Sequence, residues 1–119
     1  MSSGTPDLGD ALTVDITTTG RRSGRPTRIE IWMFRVDGRY VITGTPGPRD
    51  WLANLRNHEA LTVHVKGEAA TDLAAVATEI TDEGFRRRVF EAGHTSWYRT
   101  QAELDRLVAT SPMVEITFS

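Results

Sequence analysis

"TRIEIWMFRVDGRYVIT", residues 27–43, decides the fold. Its alternation sets Ile29, Ile31 and Met33 on one face and Trp32, Phe34 and Val36 on the other, so the first strand is apolar on both sides. A strand of that kind lies under a helix, a subunit or a ligand. Asp37-Gly38 is a two-residue hairpin signal, because both central positions of a type I′ turn need positive φ. It joins "IWMFRV" to "RYVITGT" as antiparallel neighbours.

Upstream, "LTVDITTT" alternates Leu12, Val14 and Ile16 with Thr13, Asp15 and Thr17, the period of a half-buried strand. Downstream, "TPGP" breaks the pattern, and Asp50 is placed to cap a short helix, "WLANLRN", with Trp51, Leu52 and Leu55 at helical spacing. "LTVHVKGEAATDLAAVATEI" restarts the alternation around a turn at Lys66-Gly67-Glu68. Its alanine-rich second half is ambiguous, with Val76, Thr78 and Ile80 favouring strand. Thr81 or Asp82 starts a helix through "EGFRRRVFEAG" that Gly93 ends. A further helix near "QAELDRLVAT" has Thr100 and Glu103 at capping-box spacing and an apolar stripe of Leu104, Leu107 and Val108, and "MVEITF" closes the chain as a strand. The sum is a mainly β, α+β domain over residues 12–119 with about six strands and two or three short helices. Residues 1–11, small, polar and punctuated by Gly and Pro, are expected to form a flexible arm.

At 119 residues the chain is expected to be one domain. Fourteen basic against 16 acidic residues leave a formal charge of −2, so no overall field draws it to nucleic acid or an anionic membrane. The absence of cysteine excludes disulfides, thiolate nucleophiles and iron–sulfur clusters. Redox chemistry would need a borrowed cofactor. No stretch approaches the roughly 18 apolar residues of a membrane span, nor is there a signal-peptide segment, so the expected location is the cytoplasm. His58, His64 and His94 have no metal-ligand spacing and read as incidental, with no metal expected.

The charge is local instead. Arg21, Arg22, Arg25 and Arg28 crowd into eight positions, with Ser23 and the glycines Gly20 and Gly24 between them. Such a loop either binds phosphate or carboxylate or is a solvated charged turn. "TGTPGPRDWLANL" runs from a strand end into a helix N-terminus, which either receives an anion, with Arg49 at the rim, or is a simple connection. Trp32, Trp51 and the Trp97-Tyr98 pair either wall a slot for a flat ring or fill the core.

The ordered series "TTTGRRSGRP", apolar strand, "DGRYVITGTPG", "WLANLRN" and "LTVHVKG", over residues 12–80, resembles the deazaflavin (coenzyme F420)-dependent nitroreductase and quinone reductase family. The resemblance implies a six-stranded split β-barrel of the FMN-binding kind, F420 as cofactor and a homodimer. It implies hydride transfer to a small hydrophobic, electron-poor acceptor such as a quinone, nitroaromatic or activated alkene. Carried over residue by residue, Arg21, Arg22, Ser23, Arg25 and Arg28 face the phosphate and acidic tail, and the strand after Thr27 runs along the ring. Gly44, Thr45 and Gly47, with Arg49, Trp51 and Asn54, form the other wall. Tyr98 and Thr45 are the candidate catalytic hydrogen donors. The chain departs from the pattern at Gly44-Thr45-Pro46-Gly47, where many relatives read approximately A-S-K-G-G; Pro46 replaces the lysine and Arg49 stands three residues on. A non-catalytic cofactor store, or an FMN- or haem-binding protein on the same barrel, is the alternative.

Overall fold

The computed structural model describes residues 8–68 and 70–119. Six strands close a barrel in the order β1-β2-β3-β6-β5-β4, every neighbouring pair antiparallel. They are β1 (Ala11–Thr19), β2 (Pro26–Val36), β3 (Arg39–Thr43), β4 (Ala60–Val65), β5 (Thr71–Glu79) and β6 (Met113–Phe118). The helices are α1 (Asp50–Asn57), α2 (Glu83–Glu91) and α3 (Leu104–Thr110), with a 3-10 helix over Gly93–Thr100.

The hairpin forms as its sequence demands. Asp37 and Gly38 both have positive φ, 52° and 74°, and Val36 faces Arg39 across the turn. Both apolar faces of β2 are covered at its C-terminal end, but by different layers. Met33 packs inside the barrel with Val14, Ile16, Tyr40, Ile42, Val63, Val114 and Ile116. Phe34 and Val36 point outward and meet Val41 and Met113 beneath Phe85, Val89, Phe90, Tyr98 and Leu107 of the helical layer. Arg39 crosses that second core with its guanidinium 3.8 Å from the Phe85 ring centroid and 2.8 Å from Glu115, whose hydrogen bond raises its pKa.

Several local expectations are corrected. Asp50 does not cap α1: Arg49 occupies that position without a side-chain cap bond, and Asp50 lies in the first turn, reaching Arg21 at 3.4 Å. Asp82, by contrast, caps α2 by accepting from the Phe85 amide at 2.8 Å. Gly93 does not end α2. The helix stops in extended backbone at Ala92, and side chains of the 3-10 helix take its last carbonyls, Thr95 bonding Val89 and Ala92, and Arg99 bonding Phe90. Thr100 and Glu103 form no capping box, since the Thr100 hydroxyl donates to Trp97 and α3 starts only at Leu104.

Of the arm expected over residues 1–11, residues 1–7 lie outside the described residues. Leu8 packs against the barrel core and donates its amide to the Tyr40 hydroxyl at 2.7 Å, and Asp10 pairs with Arg35 at 3.0 Å. The chain is therefore anchored ahead of β1.

The capping contrast gives a stability test. Asp82→Ala should cost about 1 kcal/mol in denaturant unfolding, the usual value of a lost cap. Asp50→Ala should cost at most about 0.5 kcal/mol, because it removes an exposed charge near the helix dipole and a long, solvent-exposed pair with Arg21.

Candidate functional site

The barrel is split beside β2. Nine residues of β2 pair with β1, from Pro26 to Phe34, whereas only Phe34, Arg35 and Val36 pair with β3. β3 then continues beside β6 as far as Thr43 and turns away through Gly44–Arg49 into α1. The stretch 26–33 therefore keeps one edge of backbone groups unpaired among the described residues, and a cleft opens between it and the loop 44–49.

Two depressions lie along that edge. One, of about 290 Å³, is walled by Glu30, Ile31 and Trp32 on β2, by Gly44, Thr45 and Arg49 opposite, and by Trp97 and Tyr98. The other, of about 230 Å³, lies between Thr27, the loop Gly20–Ser23, and Asp50 and Asn54 of α1. At ~3.3 Å per strand residue, Thr27 and Ile31 are about 13 Å apart. A third, apolar cavity of about 270 Å³ shares Trp32, Trp97 and Tyr98 and extends to Leu12, Phe34 and His94.

The four arginines stand in different surroundings. Arg21 is spent on α1: its amide and Nη1 both reach Asn54 Oδ1, at 3.1 and 3.2 Å. Arg28 lies outside the loop, on β2, where it holds Asp15 at 3.0 Å. With Lys66 it keeps the Asp15 carboxyl below its ordinary pKa, Lys66 contributing most. Arg22 and Arg25 are exposed, and their guanidinium groups have no partner among the described residues. Ser23 shapes the loop by accepting the Arg25 amide at 3.1 Å. A Cβ at Gly20 would meet Ser23 Oγ at 2.6 Å and the Arg25 carbonyl oxygen at 3.2 Å, so a side chain there would displace the Ser23 hydroxyl.

Across the cleft, Gly44 and Thr45 form the wall, and Gly47 turns away to the far side of the loop at φ 127°. Arg49 folds back on this loop, donating to the Thr45 carbonyl at 2.9 Å, Thr45 Oγ1 at 2.8 Å and the Pro48 carbonyl at 3.0 Å. It staples the wall that Pro46 leaves without a lysine. Trp51, expected at the cofactor, is a core residue, 7% exposed inside the barrel. Asn54 is 4% exposed and ties three segments together, accepting from Arg21 and donating to Thr18 Oγ1 at 3.2 Å. Trp51 thus lies in the barrel core, whereas Asn54 also lines the depression beside Thr27.

Tyr98 is 4% exposed, amid the rings of Trp32, Phe34, Phe90 and Trp97 at 5.2 to 6.1 Å. Its hydroxyl makes no hydrogen bond among the described residues, yet the residue lines both cavities beside Trp32. Burial pushes its pKa up to about 12, against a smaller opposing pull from Arg49.

Sequence reasoning missed the apolar cavity and His94 in it, whose Nε2 lies 2.9 Å from the Arg35 carbonyl oxygen. Those residues come from three elements and share no spacing. His64 is not incidental either. It is 8% exposed on the outward face of β4, its Nδ1 2.7 Å from Asp72 and its Nε2 2.7 Å from Thr17 Oγ1, a tie across three strands away from the cleft. Among the described residues no group of three or more His, Asp or Glu side chains could hold a metal.

No curated protein matches this sequence. Among solved structures, an F420H2-dependent reductase (FDR-A) is similar at TM-score 0.57 and 21% identity, over 87% of this chain and 92% of its own. HutZ, the haem storage protein from Vibrio cholerae, is similar at TM-score 0.65 and 14% identity, over 90% and 81%. A chain described as a domain-swapped dimer is similar at TM-score 0.58 and 22% identity, over 95% and 87%. Identities this low speak for the shared split barrel alone. The sequence profile of the F420H2-dependent quinone reductase family reaches further, matching residues 6–111. The chain belongs to that family of F420-dependent reductases, and coenzyme F420 is its cofactor.

Proposed function

We propose that the protein reduces a flat, electron-poor acceptor, a quinone, nitroaromatic or activated alkene, in the cleft beside β2, acting in the cytoplasm as a homodimer. The observation that carries the reading is the asymmetry of one strand edge: unpaired cations at its Thr27 end, open backbone and aromatic rings at its Trp32 end. The donor set fits the coenzyme. Arg22, which shares a depression with the first turn of α1, and Arg25, exposed on the same loop, suit phosphate and carboxylate groups. Trp32, 42% exposed, and the free edge of β2 suit a flat heteroaromatic ring.

Bound there, the reduced deazaflavin supplies a hydride, and the protein supplies position and electrostatics. Trp32 and Trp97, edge to face at 5.3 Å, give one side of the cleft an apolar wall, and the Arg49–Thr45 staple holds the other side in place. Thr45 Oγ1 accepts from Arg49, which leaves its own hydroxyl hydrogen to donate into the cleft. Tyr98 holds its proton throughout the neutral range, so its hydroxyl is a hydrogen-bond donor to an acceptor oxygen as charge builds there.

Arg22→Glu with Arg25→Glu should weaken F420 binding at least ~10-fold in a fluorescence titration, with the melting temperature nearly unchanged, because exposed charges contribute little to stability. Unchanged affinity would move the acidic tail elsewhere. Tyr98→Phe should lower kcat roughly 100- to 1,000-fold while sparing F420 affinity, the expected loss of one donor to a developing anion.

Ionisation of Tyr98 has a defined sign. Its folded pKa is raised above the ordinary value of 10.0, so its contribution to stability is intact below pH 10 and is lost as pH rises through about 12. An ultraviolet phenol titration should show a late step near pH 12 that Tyr98→Phe removes; a variant that keeps that step would refute the burial argument.

A further inference from the structure

Arg86 of α2 is 9% exposed and donates to three backbone carbonyls: Nε to Val108 at 2.7 Å, Nη1 to Ile80 at 2.8 Å and Nη2 to Ser111 at 2.5 Å. Three of its five N–H groups are used, leaving one on each Nη. None of its partners is a carboxylate. Glu79, the acid that acts on it through space, has both oxygens held by Arg56, at 2.9 and 2.5 Å. A buried cation answered only by neutral carbonyls is poorly compensated, and burial depresses its pKa accordingly.

Beside Arg86 lies a cavity of about 450 Å³, between the far side of the β3–α1 loop and the end of α3. Gly47 and Pro48 form one wall, Leu52, Ile80 and Pro112 give it apolar surface, and Ser111 lines it together with Arg86. Ser111 is 4% exposed, and its Oγ is the one buried side-chain polar atom among the described residues without a hydrogen-bond partner. Such an atom is a hydrogen-bonding group still to be satisfied. Of the formal charges lining the cavity, Arg56 and Glu79 cancel and Arg86 remains.

We propose that this cavity is a second ligand site, separate from the cleft beside β2, and that it takes a small organic carboxylate. The carboxylate sits between the remaining Arg86 N–H groups and the Ser111 hydroxyl, with its hydrocarbon part against Leu52, Ile80 and Pro112. One net positive charge beside the Glu79 carboxylate suits a monoanion better than a doubly charged phosphate, and the apolar surface asks for carbon. Gly44, Thr45 and Arg49 wall the cleft, whereas Gly47 and Pro48 of the same loop wall this cavity, so an occupant bears on the loop from behind.

The test uses the full-length protein without coenzyme, labelled with ¹⁵N and titrated with isobutyrate at constant ionic strength against chloride. Saturable shifts of the Arg86 Nε–H and of the Gly47 and Ser111 amides are expected. Thr110→Glu, which puts a competing carboxylate at the exposed rim, should abolish them. Ser111→Ala should keep the fold, since its hydroxyl has no protein partner to lose, and weaken isobutyrate roughly 10-fold, the usual loss of one hydrogen bond to a charged group. Shifts that do not saturate, that survive both variants, or that fall only on Arg22 and Arg25 would overturn the proposal. Because the coenzyme is absent, none of these outcomes depends on how the cleft beside β2 is used.

Discussion

The early parting of β2 from β3 is the constraint on which the rest of the molecule depends. A type I′ turn at Asp37-Gly38 starts a tight hairpin, but only three residues of β2 keep β3 as a neighbour before β3 closes against β6. The barrel still closes, because β1 holds β2 along nine residues and β4 completes the ring. A strand edge left open invites pairing with another chain. Here Pro26, Arg28 and Glu30 stand along that stretch, Arg28 tied by charge to Asp15 of β1 and Glu30 to Lys66, just past the end of β4. The polar guard occupies the Thr27 end, and the aromatic surface the Trp32 end.

Two cores follow from one strand. Barrel closure buries the Met33 face, and the outward Phe34 face would be wet without α2, the 3-10 helix and α3. Those three elements add little secondary structure of their own, each being seven to nine residues long. They are held by packing and by side chains that satisfy helix ends, as Arg86 does for the last carbonyls of α3. Helices this short have little stability in isolation. The site inherits their placement, since Trp97 and Tyr98 reach the cleft only because the 3-10 helix lies over β2.

The fold was largely legible in the sequence because its strands alternate cleanly and the Asp-Gly turn pins one register. Leu12, Val14 and Ile16 face inward as their period requires, and even the alanine-rich stretch around Val76 is strand. Helix ends were less legible. Capping depends on which hydroxyl or carboxylate reaches an amide in space, so Asp50 and Thr100 looked as suitable as Asp82. The site was legible in outline, with the arginine loop and the Gly44–Arg49 loop facing one strand. Role assignment within it was not: Arg21 and Asn54 are joined across 33 residues, and Trp51 is buried by the same helical spacing that places Leu55 in the core. Spacing along the chain carries no information about which of several arginines meets an acid.

The three tryptophans, finally, give the molecule an optical division. Trp51 is enclosed in the barrel at 7% exposure, whereas Trp32 and Trp97 are 42% and 48% exposed, their rings perpendicular and 5.3 Å apart at the cleft. Emission from the first reports whether the barrel is folded. Emission from the other two reports what has entered the cleft, because a flat ring at Trp32 would touch that perpendicular pair directly. The protein thus carries separate intrinsic lamps for folding and for occupancy.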